Sequence, residues 1–414
     1  MHRIPIHGKY YDLRRFNHPG GKEILELCKD EPDCSALFES YHIFTDMSKI
    51  KLIMKKYEVG PTKQPSMFKF YDKGFYKTLQ GRVRDHFKNT STKWSPDYLW
   101  TIGTSSLLFG ISQYTLFTST NIVSKSISSV LSGFSMMSLL YNVLHDGSHY
   151  GISTNTYINN ISSTIIQPFV LWNHRLWSYH HVIRHHQYTG ILGYDPDIQN
   201  LEPYIRKTCK VTPYKKELSS NYFIMKYILF NMFIPGLNFG QAKQYIQWIL
   251  YGDLWNMKIP DTFGSFVDYL QYMVSLTYIS LYSYYGGIMY LYLYLIGLNI
   301  MYVIGTAPDH DMYDTHIQSE TTKGPIDWGE MQVRHSGSYM SSYRLYTRYL
   351  GSINYQIEHH LFPSISNHRL PEIAPIVKQC CKEFNIPYVC VEDPIDVFYQ
   401  VINTYRNVHS DKHN

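Results

Sequence analysis

The chain has 414 residues, a formal net charge of +5, six cysteines and a mean hydropathy of −0.27. So small a basic surplus argues against the dense positive field that nucleic-acid binding relies on and suits apposition to an anionic membrane surface. Cys28, Cys34, Cys209, Cys380, Cys381 and Cys390 form no CxxC pair, which sets aside a disulfide-stapled scaffold and fits reduced thiols facing cytosol.

Residues 1–60 read as a small, charged α+β unit. "MHRIPIHGKY" is polar and lacks the apolar core of a signal peptide. "IPIHGKYYDL" is strand-like, "FNHPGG" is a turn, and "KEILELC" and "DCSALFESYH" read as helices. A basic linker is expected over 61–96, punctuated by Pro61, Pro65 and Pro96. From Tyr98 to Leu144 the only charge is Lys125, and from Tyr269 to Pro308 there is none. Each run is about twice the ~20 residues of a bilayer-spanning helix, so each predicts a hairpin of two spans. The turns fall near Thr120–Lys125 and Tyr284–Gly287. Lysine and arginine gather in 61–97 and 201–260, which puts those segments and both termini on the cytosolic side. The apolar stretches 161–172 and 221–240 are short and broken by proline, and read as helices lying at the interface.

The histidines fall into groups. "HDGSHYG" places His145 and His149 four apart, on one helix face. "HHVIRHHQYTG" repeats this with His181 and His185 and adds His186. "QIEHH" supplies His359 and His360, and His310 stands in "APDHD", where the last span emerges. Each group adjoins an apolar stretch, so helices leaving the membrane can aim the imidazoles at one site. An imidazole-rich shell suits Zn, Cu, Fe or Ni rather than Mg or Ca. Eight rings are too many for one ion that keeps an open position, so two ions are expected. No cysteine sits among them, which argues against iron–sulfur or blue-copper sites. Zinc has no redox chemistry, so the choice between zinc and iron depends on whether electrons arrive. Zinc hydrolysis at a membrane, and a non-catalytic membrane protein holding heme or metal, are the readings from other classes.

The N-terminal unit bears on that choice. His18 in "FNHPGG" and His42 at the end of "DCSALFESYH" resemble the paired histidines of cytochrome b5, in a unit trimmed relative to that family. The resemblance implies heme b with His18 and His42 as axial ligands, an arrangement that carries electrons and leaves oxygen no open position. Taken with "HDGSH", "HVIRHHQYTG…DPD" and "NYQIEHHLFP", the chain resembles the front-end fatty acid desaturases, and "DWGEMQV" and "PEIAPIV" resemble flanking segments of that family.

That resemblance implies a mainly α fold: a four-helix transmembrane desaturase domain (97–395) with a cytosolic histidine-box cap, behind the heme-binding domain (1–60) and before a tail (396–414). It implies two iron ions held by His145, His149, His181, His185, His186, His359 and His360. His310 is then the ligand from the last span, and Gln356 lies close to the metals, in the place of the third box's first histidine. His174, His180, His316, His335 and His368 are expected outside the ligand set. Asp146 and Glu358 are expected to hydrogen-bond the imidazoles beside them. The implied reaction inserts a cis double bond into a polyunsaturated acyl chain, carried on coenzyme A or a phospholipid, using O2. No Gly-rich dinucleotide loop is evident, so electrons come from a separate reductase of the NADH–cytochrome b5 reductase type. The second box and its tail favour Δ5 over Δ6. A sphingolipid long-chain-base desaturase and a di-iron lipid hydroxylase are the nearest rivals. The implied location is an endoplasmic-reticulum-type membrane, crossed several times, with both termini cytosolic.

Overall fold

The computed structural model describes residues 3–29, 31–199, 266–315 and 327–410, with short pieces between 243 and 258. Its spine is two helical hairpins. In the first, α5 (Pro96–Thr118) is followed by α6 (Ile122–Leu139), whose start is capped by Asn121 accepting from the Ser124 N–H at 3.0 Å. In the second, helix Phe266–Leu281 closes in a π turn at Tyr282–Gly286, and Gly287 (φ 105°) reverses the chain into helix Ile288–Asp311. Lys125 donates to the Gly286 carbonyl at 3.3 Å, so both reversals lie at the same end. The C-termini of α6 and of the last long helix therefore meet at the other end, where the histidines are.

Close approach between these two helices depends on glycine. A Cβ on Gly133 would stand 2.3 Å from the Tyr294 carbonyl oxygen, and one on Gly297 would stand 2.3 Å from that of Val130. Backbone cannot yield as a side-chain tip can. Gly297→Ala is therefore expected to destabilise by about 3 kcal/mol or more, the upper part of the overpacking range. Thermal unfolding in detergent checks this.

Two helical stretches, Ile122–Ser148 and Ile288–Thr315, are long and apolar enough to cross a bilayer. All four long helices turn apolar side chains outward: Leu107, Ile111 and Tyr114 from α5, Ile127 from α6, Met273 and Leu276 from the third, and Ile288 from the fourth. Of the two expected interfacial stretches, the first forms helices Thr156–Ile165 and Gln167–Val170 and exposes Ile158, Ile161 and Ile165. The second, 221–240, lies outside the described residues.

The expected linker proves to be structural. Within 61–96 the chain forms α4 (Phe75–His86), which buries Phe75, Tyr76, Leu79 and Val83. These recur at helical spacing and join a core with Trp328, Ile357, Phe362 and Val377. Basic residues occupy only the opposite face, which is why composition alone suggests a linker. The core draws on helices Trp328–His335, Gln356–Leu361 and Leu370–Glu383.

The N-terminal unit is an antiparallel sheet in the order β1 (Ile4–Ile6), β2 (Lys9–Tyr11), β3 (Glu58–Pro61), with α1 (Lys22–Leu27), α2 (Ser35–Tyr41) and α3 (Met47–Tyr57). Its core, around Ile4, Ile6, Leu37 and Phe38, also admits Ile183 from the histidine-bearing part of the chain. Arg184 reaches Glu31 at 2.7 Å in the same buried seam, and the Tyr188 hydroxyl donates to the Asp33 carbonyl at 3.0 Å. Among the described residues Cys28, Cys34, Cys380, Cys381 and Cys390 are free thiols.

Candidate metal centre

Both upstream histidine boxes begin in π-helix and run on into α-helix. Leu140–His145 extends α6 in the π form, and Ser178–His185 carries most of the second box. A π turn admits one extra residue, so groups five apart return to the same side. His181 and His186 accordingly bring their Nε2 atoms to 3.2 Å, while His185 points to a neighbouring cluster. The third box occupies helix Gln356–Leu361, and His310 stands at the C-terminal end of the last long helix.

The rings form two groups. His145, His149, His181, His186 and His359 gather their nitrogens in one; His185, His310 and His360 form the other. In the first, Nε2 atoms of the pairs His145–His181 and His186–His359 lie 2.9 and 3.0 Å apart. In the second, His185 and His310 lie 3.1 Å apart, and the Gln356 amide nitrogen is 3.1 Å from the Nε2 of both His310 and His360. Two nitrogens on one ion at about 2.1 Å, roughly at right angles, stand about 3.0 Å apart. The observed edges fit that spacing.

Protonation agrees. Burial, then the neighbouring imidazoles, holds His181, His186, His359 and His360 well below the ordinary histidine range. They are therefore neutral, the form that binds metal. Neutral nitrogens face one another across each group, and Nε2 of His149 has no partner there. The Gln356 Oε1 is likewise unpartnered; turning that amide over presents an oxygen to the second group.

Five of the opposite ring nitrogens are tied back, while Nδ1 of His186 and of His359 has no partner among the described residues. His185 Nδ1 lies 3.0 Å from Asp195 and 3.3 Å from Asp197; His360 Nδ1 lies 2.9 Å from the Gln332 Oε1 and 3.0 Å from the Thr189 hydroxyl. His310 donates to the His335 carbonyl at 2.8 Å. His145 Nδ1 is 3.1 Å from the Asn367 amide nitrogen, whose Oδ1 has no partner; reversing that amide lets the oxygen accept the ring N–H. His149 Nδ1 meets the hydroxyl of Tyr41, from the N-terminal unit, at 2.8 Å. Such contacts fix the tautomer that leaves Nε2 free.

Asp146 and Glu358 do not play this part. Asp146 accepts from the Asn367 N–H at 3.0 Å and the Ser366 hydroxyl at 2.7 Å. Glu358 accepts from Tyr388 at 2.8 Å and Ser338 at 3.3 Å, and burial pushes its carboxyl up to about 7. Neighbours on a helix face different directions: Asp146 braces the Asn367 backbone and the Ser366 hydroxyl, and Glu358 braces the hydroxyls of Tyr388 and Ser338. His180 turns to Asp197 at 2.5 Å and His174 to Gln271 at 3.0 Å, both away from the groups. His368 contacts Ser366 at 3.0 Å, His335 contributes its carbonyl, and His316 lies outside the described residues.

In the N-terminal unit the rings of His18 and His42 face one another with centroids 6.0 Å apart and planes at 81°. Two opposed imidazoles ligating one iron place their centres about 6 Å apart, given bonds of about 2.0 Å. His42 donates from Nδ1 to the Phe38 carbonyl at 2.8 Å, leaving Nε2 available. His18 Nδ1 accepts from the Gly20 N–H at 3.1 Å, so ligation through its Nε2 requires the other tautomer and release of that bond. Burial, then the His42 charge, pushes His18 down to about 4. The pair fits a bis-histidine heme after that one adjustment.

Comparison with known proteins agrees with the histidine geometry. The fatty acid desaturase family profile matches residues 125–392. An acyl-lipid (8-3)-desaturase of Mortierella alpina is 28% identical over 97% of this chain and 92% of its own length. A probable Delta(5) fatty acid desaturase C of Dictyostelium discoideum is 28% identical over 93% of this chain and 87% of its own. An sn-1 linoleoyl-lipid 6-desaturase of Arthrospira platensis is 26% identical over 76% and 87%. The matched span holds all nine side chains that meet in the two groups, and the chain belongs to the fatty acid desaturase family, whose members are oxidoreductases.

Proposed function

We propose that the chain is a front-end acyl-lipid desaturase that inserts a cis double bond at the Δ5 position of a polyunsaturated acyl chain, with electrons relayed through its own N-terminal heme. One observation carries this reading: imidazoles from four separated stretches of chain meet in two adjacent groups at the common end of two apolar hairpins. In this reading one iron is held by His145, His149, His181, His186 and His359. The other is held by His185, His310 and His360, with Gln356 beside it. Two irons so bound supply the oxidising power to take hydrogen from an unactivated methylene, work beyond any side chain.

The residues do the rest. Buried rings, those of His145, His149, His185, His310 and His360 tied back on their far nitrogens, keep the donors aimed without reorganisation. Leu140, Tyr141, Leu144 and Trp172 belong to a buried apolar cluster next to His145, which excludes water there, and in this reading the acyl chain seats against it. Depth of seating then selects the carbon presented to the metals. His18 and His42 hold heme b, fed by a separate reductase. The four long helices span an endoplasmic-reticulum-type membrane, and both termini lie with the histidines on the cytosolic side. The outward apolar side chains of those helices support this placement. The Δ5 assignment is supported by the relatives named for that position and by the second box with its tail.

Expression in a host without polyunsaturated lipids, fed 18- and 20-carbon substrates, tests the reading. A 20-carbon triene is expected to gain a double bond at carbon 5, located by mass spectrometry. A bond at carbon 6 of an 18-carbon chain would refute the position, hydroxylated product would refute the outcome, and a long-chain-base product would refute the substrate class.

A further inference from the structure

We propose that Tyr41, carried by the N-terminal unit, is a positioning residue of the metal centre: its phenol oxygen accepts the Nδ1–H of His149 and aims that ring's Nε2 into the five-histidine group. The proposal rests on the iron and heme reading above and adds that the heme-bearing unit is a built-in part of the centre rather than a tethered carrier.

The contact is 2.8 Å and joins residues 108 apart in sequence. On the other edge of the same ring, Nε2 has no hydrogen-bond partner and faces the group. His145, His185, His310 and His360 find their backing in Asn367, Asp195, His335 and Gln332, all within the span that matches the family profile. His149 draws its backing from Tyr41, the last residue of α2.

The approach of α2 is fixed independently of that bond. The second-box π-helix faces two ways: His181 and His186 turn to the metal group, while Ile183 and Arg184 enter the N-terminal unit. Glu31 meets Arg184 at 2.7 Å in a buried ion pair, Asp33 accepts from Tyr188 through its carbonyl, and Lys77 of α4 pairs with Glu39. Such a seam leaves Tyr41 little freedom, so its hydroxyl is preorganised for the ring. The next residue along the chain is His42. One peptide neighbour and one hydrogen bond therefore connect a proposed heme ligand, His42, to a proposed metal ligand, His149.

The test is Tyr41→Phe in the full chain, which removes one oxygen and keeps the ring packing. Iron retention against a chelator is read in detergent, beside the heme absorbance and amide hydrogen exchange of α2. Loss of a hydrogen-bond partner behind a metal-bound histidine lowers affinity about 10–100-fold. That loss is expected here, with heme absorbance and α2 protection unchanged. Arg184→Gln serves as the docking comparison, since it loosens the seam without touching His149. Iron held by Tyr41→Phe as firmly as by the unaltered chain overturns the proposal. So does equal iron loss in both variants accompanied by lost α2 protection, which would assign the effect to docking. An unaltered chain that binds no iron brings down the functional reading, and this inference with it.

Discussion

In the His359→Ala protein, bound iron and desaturation are expected to disappear together, with metal affinity falling on the order of 10²-fold or more, beyond the loss typical of a partner behind a ligand. His359 is completely buried, with Nε2 3.0 Å from His186 and its ring 4.6 Å from that of His145. Its removal takes a donor from the centre of the five-ring group and leaves a void that no neighbour can fill. Amide exchange protection of α2 and the heme band separate this from general unfolding, because the unit holding His18 and His42 takes Ile183 into its core and pairs Glu31 with Arg184. Metal analysis and turnover on one preparation make the measurement. Full iron content in the variant would remove His359 from the ligand set.

The same substitution tests how the rings divide between two ions. Removing His359 depletes the group of His145, His149, His181 and His186 and leaves His185, His310 and His360 intact. In the proposed centre the two ions would share short helical stretches: His185 and His186 are adjacent, as are His359 and His360. Loss of one iron is therefore expected to weaken the second rather than spare it. An iron content falling from two to less than one per chain is the expected signature.

How much of this was legible in the sequence differs by element. The four long helices and their two reversals follow from charge-free runs, because a helix facing lipid or other helices has no use for charge. The gathering of His145, His149, His181, His185, His186, His310, His359 and His360, with Gln356 beside them, was readable from motif spacing and from where the apolar runs stop. The partition between the two groups was not. Spacing four apart pairs His181 with His185 on an α-helix, whereas the π-helix at Ser178–His185 pairs His181 with His186 and sends His185 elsewhere. A backbone widening of that kind has no compositional signature. The backing residues divide in the same way. Asp195 and Asp197 follow the second box directly, whereas Gln332 in "DWGEMQV", Tyr41 in "DCSALFESYH" and Asn367 are distant from the boxes they back, and only tertiary packing brings them to a ring. The role of α4 was hidden because its lysines and arginines dominate composition while Tyr76 and Leu79 face inward.

The remaining large effect concerns electron supply. In His42→Ala, heme is expected to be lost, iron retained, and desaturation reduced to background. His42 follows α2 as its C-cap, with Nδ1 committed to the Phe38 carbonyl, which leaves Nε2 available, and its ring centre lies 6.0 Å from that of His18. Alanine would leave any heme to His18 alone, whose own Nδ1 must first release the Gly20 N–H. Affinity then falls below what retains heme through purification. The iron groups draw no donor from His42, and Tyr41 keeps its contact with His149, so metal content stays near that of the unaltered chain. A separate reduced cytochrome b5 added to the assay is expected not to restore turnover. The crippled unit still fills the approach to His149 through the Glu31–Arg184 seam and the burial of Ile183, and a soluble carrier cannot take its place. Absorbance of the heme band, iron content and product formation, measured on the same sample, decide the matter. Undiminished turnover without heme would show that electrons enter by another route. Full rescue by the added carrier would show that the docked unit can leave.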